Sequence, residues 1–120
     1  MLDKTKRYLV VGLGLLGGKY ALELTKAGFH VDGINRSEGH LQFALNHGYI
    51  ERGKTHDFED LVREADHIIF GLYPTALLEW FKAYGPLLQL ADVADHLIVL
   101  LHGQSADVAE AQHLGQLFRP

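Results

Sequence analysis

Three glycines near the start of the chain have the spacing of a phosphate-binding turn. The segment reads VVGLGLLGGKYA, with Gly12, Gly14 and Gly17 placed as G-x-G-x-x-G between an apolar run and a helix-like run. In such turns the first glycine permits a sharp bend, the second lets the backbone approach a pyrophosphate, and the third lets the helix pack closely on the sheet. The helix then points its unpaired N–H groups at the phosphates. The spacing predicts a dinucleotide site; the competing interpretation is a turn kept for packing alone.

The segment after the predicted second strand bears on which dinucleotide is bound. NAD-binding domains usually place Asp or Glu there, to bond the ribose 2′-hydroxyl. This sequence has Asn35, Arg36 and Ser37 instead. A guanidinium and a hydroxyl suit a 2′-phosphate, which a carboxylate would repel, so we expect NADP, with NAD as the alternative. Asp32 should point away from the site, because side chains alternate along a strand. In the competing interpretation Arg36 is a solvated loop residue and Ser37 only caps a helix.

Other residues that could bind a metal or take part in catalysis are scattered along the chain. The chain has eight histidines and no cysteine, and no two histidines share one helix at H-x-x-x-H spacing, so no metal site is predicted. His102 follows the predicted fifth strand and is a weak catalytic candidate; a loop histidine bonded to backbone or water is the alternative. The acidic residues in 57–64 indicate a solvated helix face. Trp80, Phe81 and Tyr84 recur at helical spacing, which is more typical of core, or of a surface covered in a longer protein, than of a base-stacking platform.

The order of predicted elements places the glycine turn where α/β proteins bind ligands. Apolar runs predict strands at 8–11, 31–34, 67–70 and 97–101, and helical spacing predicts helices at 18–27, 38–47, 57–65, 75–84 and 106–117. Ser37 and Thr75 are candidate helix caps. Strands that alternate with helices imply a Rossmann-type, doubly wound parallel sheet in a single domain over residues 1–120. Ligands of such sheets bind at the carboxyl ends of the strands.

Composition narrows the class of protein. A chain of 120 residues is long enough for one domain, and its 48% apolar and 22% charged residues are ordinary for a globular protein. A net charge of −4 argues against a nucleic-acid-binding face. No apolar run approaches the roughly 18 residues of a membrane span, and the charged start of the chain does not resemble a signal peptide. We therefore expect a cytoplasmic protein without nucleic-acid or membrane partners.

Three segments, YLVVGLGLLGGKYALELTKAGFHVDGINRS, ALNHGYIERG and EADHIIFGLYPTALLEWF, together resemble the nucleotide-binding domain of prephenate dehydrogenases and the related arogenate dehydrogenases. The resemblance covers residues 7–88. It implies oxidative decarboxylation of prephenate to 4-hydroxyphenylpyruvate in tyrosine biosynthesis, with a hydride passed to NAD or NADP. By position, it implies a pyrophosphate turn of Gly12, Leu13, Gly14, Leu15, Leu16 and Gly17, an adenosine-ribose contact of Asn35, Arg36 and Ser37, and a loop along the cofactor of Leu72, Tyr73 and Pro74.

After residue 88 the resemblance fades. Ser105 stands near the family's substrate-side serine, but the Asp that precedes that serine is missing. The family's catalytic-histidine segment and its helical domain would follow residue 120. We therefore expect that this chain alone does not turn over prephenate, and that its uncovered surface forms a homodimer through the helix at 106–117. The alternative is a non-enzymatic module, left by truncation or divergence, that binds a dinucleotide or another chain.

Overall fold

The computed structural model describes residues 5–88 and 97–99. Five strands in these ranges form one parallel sheet in the order β3-β2-β1-β4-β5. The order reverses between β1 and β4, as in a Rossmann-type fold, so the predicted fold class is confirmed. The strands are β1 (Arg7–Val11), β2 (His30–Ile34), β3 (Arg52–Lys54), β4 (His67–Phe70) and β5 (Leu97–Val99), and the helices are α1 (Leu15–Lys26), α2 (Glu38–Asn46), α3 (Glu59–Glu64) and α4 (Pro74–Tyr84).

Strand β1 lies at the centre of the sheet and is buried on both faces. Tyr8 and Val10 pack in a cluster with α1 and α2, whereas Leu9 and Val11 pack in a second cluster with α3 and α4. A strand covered on both sides has to be continuously apolar, and this one is, after its first residue. The core therefore forms two layers that hold the end of β1, where the glycine turn begins, in a fixed position.

The helix ends follow the expected chemistry with three corrections. Ser37 caps α2 as predicted, because its Oγ accepts a hydrogen bond from the backbone N–H of His40 at 3.3 Å. Thr75 does not cap α4: the helix starts at Pro74, whose fixed φ suits the first helical position, and Tyr73 is the N-cap residue. The helix predicted from residue 18 begins earlier, at Leu15. The helix predicted from residue 57 begins later, because Asp57 has a φ of +50°.

The sequence pattern does not predict β3, and part of β5 stays untested. Strand β3 has the sequence RGK and pairs only with β2 in the described sheet. An edge strand with partly exposed residues needs no apolar run, so hydrophobic patterning cannot reveal it. Strand β5 confirms the first three residues of the strand predicted at 97–101, whereas residues 100–101 and the helix predicted at 106–117 lie outside the described residues.

Within the described ranges, none of the helices is both long enough and apolar enough to cross a membrane.

Candidate functional site

The glycine turn lies where the carboxyl ends of three strands meet. Gly12 leaves β1 with a φ of +93°, a left-handed conformation that glycine adopts without strain. Its N–H donates to the carbonyl of Ile34 in β2 at 2.8 Å, and the N–H of Gly71, after β4, donates to the carbonyl of Val11 at 2.8 Å. The backbone hydrogen bonds of the sheet therefore continue past the end of β1 on both sides. They hold the glycine turn at the point where the strand order reverses.

Gly17 performs the close-packing role that its place in the motif predicts. A Cβ added to it would stand 1.8 Å from the carbonyl oxygen of Gly12. A Cβ on Gly71 would stand 2.7 Å from the Cα of Gly17, so a third backbone segment packs at the same point. Gly71 is not among the predicted site residues, although a glycine directly after the predicted fourth strand is a visible signal in the sequence.

Gly14 is different, because the space around it is open. Among residues 5–88 and 97–99, none beyond its own chain neighbours would come within 4 Å of a Cβ there. Gly14 is the N-cap residue of α1, no side chain of the described part of the protein caps the helix, and no acidic residue lies in its first turn. The first N–H groups of a helix have no partner within it, so Leu15, Leu16 and Gly17 present donors that suit an anionic oxygen. The side chain of Leu15 is 87% exposed and leaves this approach uncovered.

Asn35 connects the end of β2 to the glycine turn. Its Oδ1 accepts a hydrogen bond from the N–H of Leu13 at 2.9 Å, and its Nδ2 donates to the carbonyl of Ser37 at 3.2 Å. The resemblance placed Asn35 at the ribose; in the structure its side-chain amide forms internal bonds. The N–H of Leu13, counted with the pyrophosphate turn, is likewise bonded to Asn35, and its side chain is buried in the core.

A cleft of about 350 Å³ opens beside this turn, between the ends of β1 and β2 and one face of α4. Four of the predicted cofactor residues line it, namely Gly12, Asn35, Arg36 and Leu72. The remaining lining residues are Val11, Ile34, Thr55, Phe58, Ala76, Glu79, Trp80, Ala83 and Tyr84. Tyr73 and Pro74 lie outside this lining, at the exposed start of α4. The cleft therefore joins the glycine turn to the segment after β2.

Aromatic side chains form the wall of the cleft that faces α4. Trp80 is 8% exposed and lies edge-on to Phe70, with ring centroids 5.1 Å apart. Tyr84 is edge-on to Phe58 at 4.8 Å. The prediction of a core role is right for Trp80, which also lines the cleft. Its indole Nε1 is buried and finds no hydrogen-bond partner among the described residues, so an unused donor lies beside the cleft.

The side chain of Asp32 is buried and paired with two arginines. Its carboxylate is 1% exposed and accepts two hydrogen bonds from Arg7, at 3.0 and 3.1 Å, and two from Arg52, at 2.8 and 3.0 Å. Burial raises the pKa of Asp32, but the bonds from Arg52 and Arg7 outweigh it and hold the pKa below its ordinary value. Asp32 does not line the cleft. Asp32 therefore points away from the cleft, as strand alternation predicts, and is not the acid that would bond a ribose hydroxyl there.

The acidic residues of 57–64 are exposed, so the prediction of a solvated helix face is confirmed. Two of them also pair with cations of β3. Both carboxylate oxygens of Asp60 accept hydrogen bonds from Lys54 Nζ at 2.9 Å, and Glu64 accepts one from Arg52 at 3.0 Å. These two exposed carboxylates connect α3 to the edge strand β3.

The two weak catalytic candidates, His102 and Ser105, lie outside the described residues. Across residues 5–88 and 97–99, no three His, Asp or Glu side chains are grouped as metal ligands would be.

The family of the chain follows from its match to a family model. The model of the NAD binding domain of 6-phosphogluconate dehydrogenase matches residues 7–113. The chain belongs to this family. A nicotinamide dinucleotide is accordingly the class of ligand for this NAD-binding domain, and the glycine turn with its uncapped helix fits the pyrophosphate of such a ligand.

Solved structures of dehydrogenases share the fold of this NAD-binding domain. Arogenate dehydrogenase from Synechocystis has a TM-score of 0.61 and 20% identity over 91% of this chain and 37% of its own. Prephenate dehydrogenase from A. aeolicus, in complex with hydroxyphenyl propionate and NAD+, has a TM-score of 0.67 and 19% identity over 92% of this chain and 38% of its own. The 3-hydroxyisobutyrate dehydrogenase of Mycobacterium tuberculosis has a TM-score of 0.66 and 22% identity over 94% of this chain and 37% of its own.

These likenesses confirm the expected resemblance to prephenate and arogenate dehydrogenases at the level of the fold. They extend to a dehydrogenase of a different substrate, so they do not select one reaction. The chain spans less than two fifths of the length of these three structures. Among curated protein sequences, none matches this chain.

Proposed function

We propose that this chain is the cofactor-binding domain of a dehydrogenase and binds NADP in preference to NAD. The observation that carries the proposal is the open space at Gly14, at the start of an uncapped helix and beside a cleft that ends at Arg36. The bound nicotinamide would supply the chemistry, by accepting or giving a hydride. The residues of this chain would bind and orient the cofactor.

The two ends of the site would bind different parts of the cofactor. The N–H groups of Leu15 and Leu16 and the positive end of the α1 dipole favour the pyrophosphate at Gly14. The cleft, with its aromatic wall, suits the adenosine half. Arg36 lies at the cleft with its side chain 93% exposed, where its planar donors could meet a 2′-phosphate. Asn35 would fix the segment after β2 relative to the glycine turn through its hydrogen bond from the N–H of Leu13.

Gly14→Val tests the pyrophosphate site. The valine side chain would occupy the space left for the phosphates, while the φ of −71° and ψ of −158° at this position suit a residue with a side chain. We expect titration calorimetry to detect dinucleotide binding by the parent protein and a loss of at least about tenfold, or roughly 1.4 kcal/mol, in the variant. Circular dichroism should show the same secondary structure for both proteins, and thermal unfolding only the modest loss of stability that valine causes at an N-cap.

Gly14→Ala is the matched control, since its single methyl group enters the same space and should weaken binding by a smaller factor. If the valine variant is folded and binds the dinucleotide as tightly as the parent, the glycine turn is not the site.

Arg36→Gln tests the choice of cofactor. A charge-assisted hydrogen bond to the 2′-phosphate contributes about 1.5–3 kcal/mol, and the exposure of Arg36 places the expected loss of NADP affinity at the lower end, roughly tenfold. NAD affinity should change little. Arg63→Gln, which removes an exposed cation from α3, should leave both affinities unchanged. A parent protein that binds NAD more tightly than NADP would overturn the preference.

The wider parts of the proposal concern the substrate, the location and the oligomeric state. For a complete enzyme that contains this domain, we infer prephenate as the substrate, in the pathway to tyrosine, from the three quoted segments together with the fold shared with prephenate dehydrogenase. For this chain, we infer a cytoplasmic homodimer whose contact includes the helix predicted at 106–117. Size-exclusion chromatography with light scattering would measure the oligomeric state, and a monomer at micromolar concentration would contradict the predicted homodimer.

A further inference from the structure

The proposed 2′-phosphate site contains a carboxylate as well as a guanidinium. Arg36 follows β2, and Glu79 lies in the middle of α4, on the other side of the cleft. Nη2 of Arg36 is 3.9 Å from Oε2 of Glu79, and the two side chains are 93% and 64% exposed. Among the described residues that line the cleft, these two are the charged ones. A phosphate at this end of the cleft would therefore meet one cation and one anion of the described lining.

The fold holds the carboxylate near the site through the helix that carries it. Trp80, the next residue along α4, is buried against Phe70 and Phe58. Leu77, on the same helix, is also buried in the core. The backbone of Glu79 is therefore held relative to the sheet, and its exposed side chain moves only by rotation about its own bonds.

We propose that Glu79 is a specificity-determining residue that opposes the 2′-phosphate of NADP. The inference rests on the proposed function, in which the 2′-phosphate meets Arg36. A phosphate monoester carries nearly two negative charges at neutral pH. To reach Arg36 it has to displace Glu79 from the guanidinium and then remain close to the carboxylate. NAD brings an uncharged hydroxyl to the same place and meets no such repulsion. Glu79 thus reduces the preference for NADP that Arg36 creates.

The size of the effect follows from the exposure of both side chains. Exposed charges interact weakly, so removal of the carboxylate should tighten NADP binding about 1.5- to fivefold at low salt, which corresponds to about 0.2–1 kcal/mol. The gain should shrink as the ionic strength rises, because salt screens exposed charges. NAD affinity should stay the same, since its ribose hydroxyl carries no charge.

The test compares Glu79→Gln with Glu23→Gln. Both substitutions remove one exposed carboxylate and keep the side-chain length, but Glu23 lies in the second half of α1, which packs on the opposite face of the sheet. Calorimetric titrations with NADP and with NAD at low and at physiological salt give four affinities for each protein. We expect tighter NADP binding for Glu79→Gln alone, with NAD binding unchanged and the gain smaller at the higher salt.

The outcomes separate this inference from the proposed function. If the parent protein binds neither nucleotide, the proposed function fails and the inference fails with it. If the parent binds nucleotide but Glu79→Gln leaves NADP affinity unchanged, the inference alone is wrong. It is also wrong if Glu79→Gln weakens NAD binding, since Glu79 would then be a ribose-binding acid, or if Glu23→Gln raises NADP affinity equally.

Discussion

Replacement of Gly17 by alanine should lower the free energy of unfolding by about 3 kcal/mol or more, the upper end of the range for overpacking a well-packed site. The added Cβ would stand 1.8 Å from the carbonyl oxygen of Gly12 and 3.0 Å from its carbonyl carbon. Both contacts are backbone atoms, so no side chain can rotate away. The start of α1 would have to move off the end of β1, against the bond between Gly12 and Ile34.

Chemical denaturation and thermal unfolding measure this effect. With roughly 4 °C per kcal/mol for a domain of this size, the midpoint should fall by about 10 °C or more. Gly39→Ala is the matched control: it lies in α2, and its Cβ would meet only Ser37 Oγ, at 3.9 Å. Alanine should stabilise that helix by up to about 1 kcal/mol. Equal stability of the Gly17→Ala variant and the parent would contradict the packing that the structure describes.

Asp32→Asn should destabilise the protein by about 3 kcal/mol at pH 7, because it leaves two arginines of a buried ion cluster without their shared carboxylate. The carboxylate is 1% exposed, whereas Arg7 and Arg52 are 26% and 40% exposed and keep Glu51 and Glu64 as partners. Water can therefore reach both arginines, which places the cost at the low end of the range for such pairs. Asp60→Asn, in the exposed pair with Lys54, should cost no more than about 0.5 kcal/mol.

The pH dependence of the destabilisation by Asp32→Asn shows whether the lost charge causes it. Since the pKa of Asp32 in the folded protein lies below its ordinary value of 3.8, the carboxylate stabilises the fold fully above that value. This contribution is lost as the pH falls through 3.8 towards the folded pKa. The difference in free energy of unfolding between parent and Asp32→Asn should therefore be constant near neutral pH and shrink below about pH 4. A loss that is the same at pH 3 and pH 7 would indicate a change of shape instead of charge.

Local patterns in the sequence determined the elements that build the site. The apolar run before Gly12 predicts a buried strand, the helical spacing after it predicts α1, and both lie within a short stretch of chain. Ser37 was identified as a cap for the same reason, since its partner is the backbone of His40, three residues away. The alternation of such elements was sufficient to predict the parallel sheet and the edge of the sheet at which the glycine turn lies.

Only the tertiary structure decided which residues meet across that edge. Asn35 was assigned to the ribose by position, yet its partner is the backbone of Leu13, 22 residues earlier. Gly71 packs against Gly17, and Glu79 approaches Arg36, although each pair comes from separate elements. Strand β3 exists because Asp32 and the β2 backbone pair with a polar segment. These contacts depend on how strands and helices are placed in space, which the periodicity of a single segment does not encode.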